Sequence, residues 1–228
     1  MIIKQVSLLL VPFLLFSSCT KKTEKIIIKS NVSNKVDVNI KFHKLKKFLV
    51  VGDFDGDGIK DTIVQHNFSR LRKAEIDNSP DPFQNDWEIV EKWFYEQDPD
   101  LNLTFKKHRD TLHLGAAQGL YCLINIGDNN QDGKDEIALV IDYLDYSRIN
   151  NCKIYSFCNG KWVILKKFDI HEDAFNFDPD KGYPDFTTIK DFLDMKNGKW
   201  FYKDYSQISY EGREEVGNMQ KLKVDRCK

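Results

Sequence analysis

Two acidic loops, each set between strand-like apolar runs, constrain this chain more than any other feature. The first reads Gly52-Asp53-Phe54-Asp55-Gly56-Asp57-Gly58-Ile59-Lys60-Asp61. The second reads Gly127-Asp128-Asn129-Asn130-Gln131-Asp132-Gly133-Lys134-Asp135-Glu136. Asp53, Asp55, Asp57 and Asp61 take loop positions one, three, five and nine, and Asp128, Asn130, Asp132 and Glu136 repeat that spacing. A hard cation such as Ca²⁺ takes roughly six to eight oxygens at about 2.3–2.6 Å, and alternate residues of a tight loop can turn theirs inward. Gly58 and Gly133 stand at position six, where the sharp turn favours a residue without Cβ. Ile59 and Lys134 follow at position seven, where the ligand is the backbone carbonyl and the side chain is immaterial. Without a cation, carboxylates this close repel one another. Both loops are therefore expected to hold Ca²⁺ as a structural cofactor.

The flanks decide the kind of loop. Phe48 to Val51 and Thr62 to Val64 border the first, and Leu120 to Ile126 and Ile137 to Tyr143 border the second; all read as strands. Position twelve, where an EF-hand places its bidentate Glu, holds Val64 and Leu139. The EF-hand reading therefore fails. The loops resemble the calcium loop of FG-GAP and VCBS repeats, the motif of integrin-type propeller blades and many bacterial surface proteins. Gln131 stands where that pattern has glycine, and Glu136 where it has Asp. The resemblance covers each loop and its flanking strands only. It implies that calcium pins a strand-to-strand turn and performs no chemistry.

Further strand signals accompany the loops. Leu101 to Phe105 and Thr111 to Leu114 read as a hairpin turning over Lys107 to Asp110. Asn159-Gly160-Lys161-Trp162 and Asn197-Gly198-Lys199-Trp200 share a turn sequence, and Asn-Gly between apolar runs is a strong hairpin signal. In Asp86 to Gln97, Trp87, Val90 and Phe94, with Ile89 and Trp93 beside them, recur at helical spacing. Ser79 to Pro82 reads as the loop before that helix, and Asp178-Pro179-Asp180 with Tyr183-Pro184-Asp185 as another. The expected fold is mainly β: one compact antiparallel domain over residues 36–228, built of propeller-blade-like hairpins with one helix. A degenerate small β-propeller is the alternative at this length.

The amino terminus carries a different message. Lys4 begins a segment that is almost wholly apolar from Val6 to Phe16, followed by Ser17, Ser18 and Cys19. A positive start, a short apolar helix and a small-residue cleavage point make a secretory signal over residues 1–18. The run is shorter than the roughly 20 residues that span a bilayer. Leu15-Phe16-Ser17-Ser18-Cys19 resembles the lipobox of bacterial lipoproteins, which implies lipidation at Cys19 and anchoring to a membrane of the cell envelope. Residues 20–35, polar except for Ile26 to Ile28, then read as a tether.

Charge and cysteine usage narrow the partners. The chain has 34 Lys and Arg against 35 Asp and Glu. Loss of residues 1–18 removes Lys4 alone and moves the net charge from −1 to −2. That balance gives no electrostatic footprint for nucleic acid. Beyond Cys19 remain Cys122, Cys152, Cys158 and Cys227, and an envelope location permits disulfides. If Cys152 to Cys158 is one extended strand, its ends lie about 20 Å apart, far beyond the roughly 7 Å that a disulfide tolerates. Any disulfide then links one of these two to Cys122 or Cys227, with buried free thiols as the alternative.

No catalytic motif stands out. HExxH and GxSxG are missing, so the zincin and α/β-hydrolase readings lack their minimal signatures. His43, His66, His108, His113 and His171 are scattered, although His108 and His113 could meet across a turn. His171-Glu172-Asp173 follows a strand end. Trp87, Trp93, Trp162, Trp200, Tyr202 and Tyr205 could form a platform for glycan or protein, but alternating aromatics mostly pack inward. The leading expectation is a calcium-stabilised binding or interaction module on the envelope, with a protein or glycan partner. Its rivals are an envelope hydrolase using Asp173, Asp178 or Asp180, and an immunity or inhibitor lipoprotein.

Overall fold

The apolar runs end where the acidic loops begin, and a computed structural model shows how they pair. It describes residues 39–108, 110–145, 147–175, 189–207 and 218–227. The first strands are β1 (Phe42–Lys44), β2 (Leu49–Gly52), β3 (Asp61–Ser69), β4 (Ala74–Glu75) and β5 (Asn78–Pro80). The helix α1 (Trp87–Tyr95) precedes β6 (Pro99–Phe105), β7 (Thr111–Gly115), β8 (Ala117–Gly127) and β9 (Glu136–Tyr143). Then come β10 (Ile149–Cys158), β11 (Lys161–His171), β12 (Leu193–Lys196), β13 (Lys199–Tyr202) and β14 (Gln220–Lys221). The architecture is mainly β, its sheets are antiparallel, and α1 is the one α-helix among the described residues.

One sheet runs β11-β10-β9-β8, a meander with β9 inside it. Ile137, Leu139 and Ile141 of β9 pack with Ile63 of β3 and with Leu101, Leu103 and Phe105 of β6. Ala138 and Val140 face the other way, toward Cys122, Cys152, Phe168, Phe175 and Trp200. Both faces of β9 are covered, which explains an unbroken apolar run where a one-sided strand would alternate. Each such aliphatic side chain contributes about 1.5–3 kcal/mol by leaving water.

The second large sheet has the order β2-β3-β6-β7, with β4 added on β3. A ribbon of β1 and β5 and a small sheet of β12, β13 and β14 complete the set. Both Asn-Gly pairs make the expected turns. Asn159 and Gly160 have φ of 51° and 81°, and Asn197 and Gly198 have 50° and 70°, the left-handed pairs that a type I′ hairpin needs. In α1, Val90 and Phe94 are buried against Leu45, Ile76 and Leu144.

One expectation is corrected. Ser79 and Pro80 are not loop but part of β5, opposite His43 and Phe42 of β1. A two-stranded ribbon tolerates proline because one side of each strand needs no ladder partner. Ser79 Oγ lies 3.0 Å from His43 Nε2 and is fully buried. The anchor and tether residues, Cys19 included, lie outside the described residues, as do Asp178 to Asp180 and Tyr183 to Asp185.

Candidate metal centres

Each acidic loop connects two paired strands, β2 to β3 and β8 to β9, and the same hydrogen bonds shape both. Asp53 Oδ1 accepts from Asp57 N at 3.1 Å and its Oδ2 from Gly58 N at 2.9 Å. Asp128 does the same with Asp132 N at 3.1 Å and Gly133 N at 3.0 Å. Asp57 Oδ1 accepts from Ile59 N at 2.9 Å, and Asp132 Oδ1 from Lys134 N at 3.1 Å. Gly58 and Gly133 have φ of 83° and 88°. At position four Gly56 has φ of 79°, and Gln131 is held at 60°, a region that costs a residue with Cβ about 1–2 kcal/mol.

These turns gather the carboxylates. One oxygen from each of Asp53, Asp55, Asp57 and Asp61 lies within 4.8 Å of the others, and the same holds for Asp128, Asp132 and Glu136. Asn130 joins the second group, its Oδ1 accepting from Asp132 N at 3.0 Å and its Nδ2 donating to Asp132 Oδ2 at 3.1 Å. Ile59 is exposed, as a residue offering only its carbonyl can be. Lys134 sends its ammonium away from the loop, donating to Phe157 O at 3.0 Å.

The loops are bonded to each other. Asp135 N donates to Asp53 O at 2.8 Å, and Asp53 N donates to Asp135 Oδ2 at 3.0 Å. Asn125 Nδ2 bridges Val51 O at 2.9 Å and Asp135 Oδ2 at 3.0 Å. A Cβ at Gly52 would press on Asn125 Nδ2 and fall 2.6 Å from Asp135 Oδ2, so a larger residue there would push apart the two side chains that make this crossing.

Their electrostatics differ. Lys107 Nζ pairs with Asp55 Oδ2 at 2.7 Å and also with Asp57, while His108 Nε2 lies 2.9 Å from Asp55 Oδ2. Burial alone would raise the Asp55 pKa, but the bonds from His108 and Lys107 hold it well below the usual carboxylate range. The same bonds, from Asp55 and Asp57, raise Lys107. The Asp61 pKa moves upward, through burial first and then the nearby Asp55, and its Oδ2 has no partner among the described residues.

Among the described residues no cationic side chain pairs with Asp128, Asp132 or Glu136. Glu136 is fully buried; its Oε2 accepts from Asn129 N at 2.8 Å, and its Oε1 has no partner among the described residues. Burial pushes its pKa up to about 8 against the Asn129 bond, and Asp132 and Asp128 add to the rise. The second loop is instead clamped by residues distant in the chain. Asn130 Nδ2 donates to Asp225 O at 3.0 Å, and Arg226 Nε donates to Asn130 O at 3.0 Å. Beside this clamp a disulfide joins Cys158 to Cys227, with Cα atoms 5.4 Å apart. Cys122 and Cys152 are buried free thiols on either side of Val140, and burial lifts the Cys122 pKa to about 12.

The other candidates scatter. His108 belongs to the first loop, while His113 bonds Asp100 at 2.8 Å, so the two do not meet. His66 lies between Glu75 at 2.7 Å and Thr104 at 2.8 Å. His171 pairs with the exposed Asp173 at 3.1 Å. All six platform aromatics, Trp87, Trp93, Trp162, Trp200, Tyr202 and Tyr205, pack against a core. Motif reading did not connect Lys107 and His108 with the first loop, because only the fold carries the β6–β7 turn onto Asp55. No protein-family model matches the chain, and no curated protein or solved structure is significantly similar to it.

Proposed function

We propose that residues 36–228 form a calcium-stabilised binding module, held on the cell envelope by lipid on Cys19. The observation that carries the calcium half is Glu136. A fully buried carboxylate with one unpartnered oxygen, facing Asp128 and Asp132, is costly unless a cation completes it. The first loop supports the same reading through the unpartnered Asp61 oxygen beside three further carboxylates. Asp53, Asp55, Asp57 and Asp61 with the Ile59 carbonyl supply one ligand set. Asp128, Asn130, Asp132 and Glu136 with the Lys134 carbonyl supply the other. The ion's role is structural, since each loop contributes a full set from its own residues. Modules of this class bind with Kd of about 10⁻⁴–10⁻³ M.

Differential scanning calorimetry with calcium and with EDTA tests the reading. Calcium is expected to raise the melting temperature. Asp57→Ala should remove part of the rise, and Asp57→Ala with Glu136→Gln all of it. A wild-type protein whose melting ignores calcium sinks the proposal. The anchor has its own readout: a fatty-acid label should enter the wild type and be lost in Cys19→Ala, and equal labelling of both excludes lipidation there. An affinity pull-down with and without EDTA tests the interaction half.

A further inference from the structure

A cavity of about 390 Å³ opens on the β8–β9 hairpin at the end away from the second acidic loop. Asp142 lies six residues beyond Glu136 along β9, about 20 Å at strand spacing. The cavity is of the size that takes small ligands. Its lining includes the aromatic residues Phe83, Trp87 and Tyr121, the acids Asp142, Asp145 and Glu172, Arg148 and Asn150.

Asn150 is the decisive member. It is 4 % exposed, and its Nδ2 has no partner among the described residues. A buried donor left unmade costs about 1–3 kcal/mol, so the site calls for an acceptor from outside the chain. The carboxyl groups make the opposite demand. Asp142 takes a hydrogen bond from Tyr121 and a long one, 3.4 Å, from Gln118 Nε2; Glu172 takes one charge contact, Arg148 Nε at 3.3 Å. Their remaining lone pairs call for donors.

The ligand must therefore accept at Asn150 and donate at the carboxyls. An anion would meet three acids and one arginine. An ammonium ion offers no acceptor to Asn150. Burial, with help from Asp145 and Glu172 and against the Tyr121 bond, pushes the Asp142 pKa up to about 7, which further weakens its hold on a cation. Hydroxyl groups do both tasks, since each donates one hydrogen and accepts through two lone pairs. The Tyr121 ring, stacked on Phe175 at 4.6 Å and 10°, is held rigid for an apolar C–H face.

We infer that this cavity binds a saccharide unit, with Asn150 donating to a ring or hydroxyl oxygen and Glu172 and Asp142 accepting from hydroxyls. The inference rests on the binding-module half of the proposed function and is independent of calcium.

The test is a titration of the purified full-length chain, followed by NMR of the Asn150 side-chain amide and the Trp87 indole. The probes are glucose, N-acetylglucosamine and their β-1,4-linked dimers, with tetramethylammonium as the cationic comparison. At least one saccharide is expected to shift both signals with Kd of about 1 mM. Asn150→Asp, which turns the donor into an acceptor, should weaken binding by about tenfold or more. Phe83→Ala, at a half-exposed ring outside the cores, should weaken it about threefold with melting unchanged, so a misfolded Asn150 variant does not leave the matter open. Saccharides that leave the Asn150 amide unmoved, or a response to tetramethylammonium alone, overturn the inference. Saccharide shifts that persist in EDTA, in a protein whose melting ignores calcium, would sink the calcium reading and leave this one standing.

Discussion

At Asp53–Asp61 two carboxylates meet Lys107 and His108, whereas among the described residues no cationic side chain pairs with the carboxylates of Asp128–Glu136, and that loop is held instead through Asn130 by Asp225 O and Arg226 Nε. The turn geometry is the same in both, down to the backbone N–H bonds that the position-one Asp accepts. What differs is how each loop manages its charge without metal. The first neutralises it with the Lys107 ammonium at its rim, beside a hydrogen bond between His108 and Asp55, so calcium must displace or share these partners. The second buries its glutamate, which raises its pKa, so calcium competes there with a proton. One loop answers to competing cations, the other to pH.

Removing the clamp of the second loop should give the largest effect. Cys227→Ser opens a crosslink spanning 69 residues. The expected loss is about 2–5 kcal/mol in denaturant titration. Because Cys227 adjoins the residues that hold Asn130, calcium affinity should fall at the second loop and not at the first. Equal loss at both would break the comparison.

Glu136→Gln comes next. It should remove the stabilisation that the second loop draws from calcium, about 2.7 kcal/mol at a hundredfold excess over Kd. In EDTA the sign reverses with pH. The folded pKa of about 8 lies above the ordinary 4.5, so the folded state keeps a proton that the unfolded chain releases. That stability is full below about pH 4.5 and is lost as pH rises through about 8. Metal-free wild type should therefore melt lower at pH 8 than at pH 5 by a margin that Glu136→Gln abolishes. With calcium present, the rise in melting temperature should grow over the same interval. A margin unchanged by the substitution would remove Glu136 from the account.

Lys107→Ala sharpens the other side. Without the ammonium on Asp55 and Asp57, the first loop should bind calcium about three- to tenfold more tightly, and that gain should shrink at high salt. Isothermal titration against the second-loop variant reads it directly, and an unchanged affinity means that Lys107 is no competitor. Smallest is Gln131→Gly, which relieves the left-handed backbone at position four. It should stabilise the protein by about 0.5–1 kcal/mol, after the entropy that glycine itself costs. Destabilisation would show that Gln131 makes a contact worth more than its strain.

Local pattern made much of this legible. Both loops, both Asn-Gly turns and the stripe of Val90 and Phe94 are read within a few residues of chain, and the structure contains them. The extent of β3 was not legible. Its inward face beyond Ile63 is Gln65, Asn67 and Ser69, all buried, and polar residues there look like loop. They are tolerable because each is paired: Gln65 Nε2 donates to Asn67 Oδ1 at 2.9 Å, and Ser69 Oγ donates to Gln97 O at 2.7 Å. Cysteine spacing excluded a bond within β10, but choosing Cys227 for Cys158 depends on a tail path that no local signal encodes. The burial of Glu136, which separates the two loops, arises from elements distant in the chain.

The bonds to Asn130 also order events in time. Asp57 waits 50 residues for Lys107, while Asn130 waits 95 for Asp225 and 96 for Arg226. A chain made from its amino end can pair the first loop with Lys107 early and add its bonds to Asp135, 82 residues beyond Asp53, while the tail is still to come. The second stays ajar until the stretch that closes it has emerged. Loop closure over long separations is slow as well as late. The same acidic motif thus matures early in one copy and near the end of folding in the other.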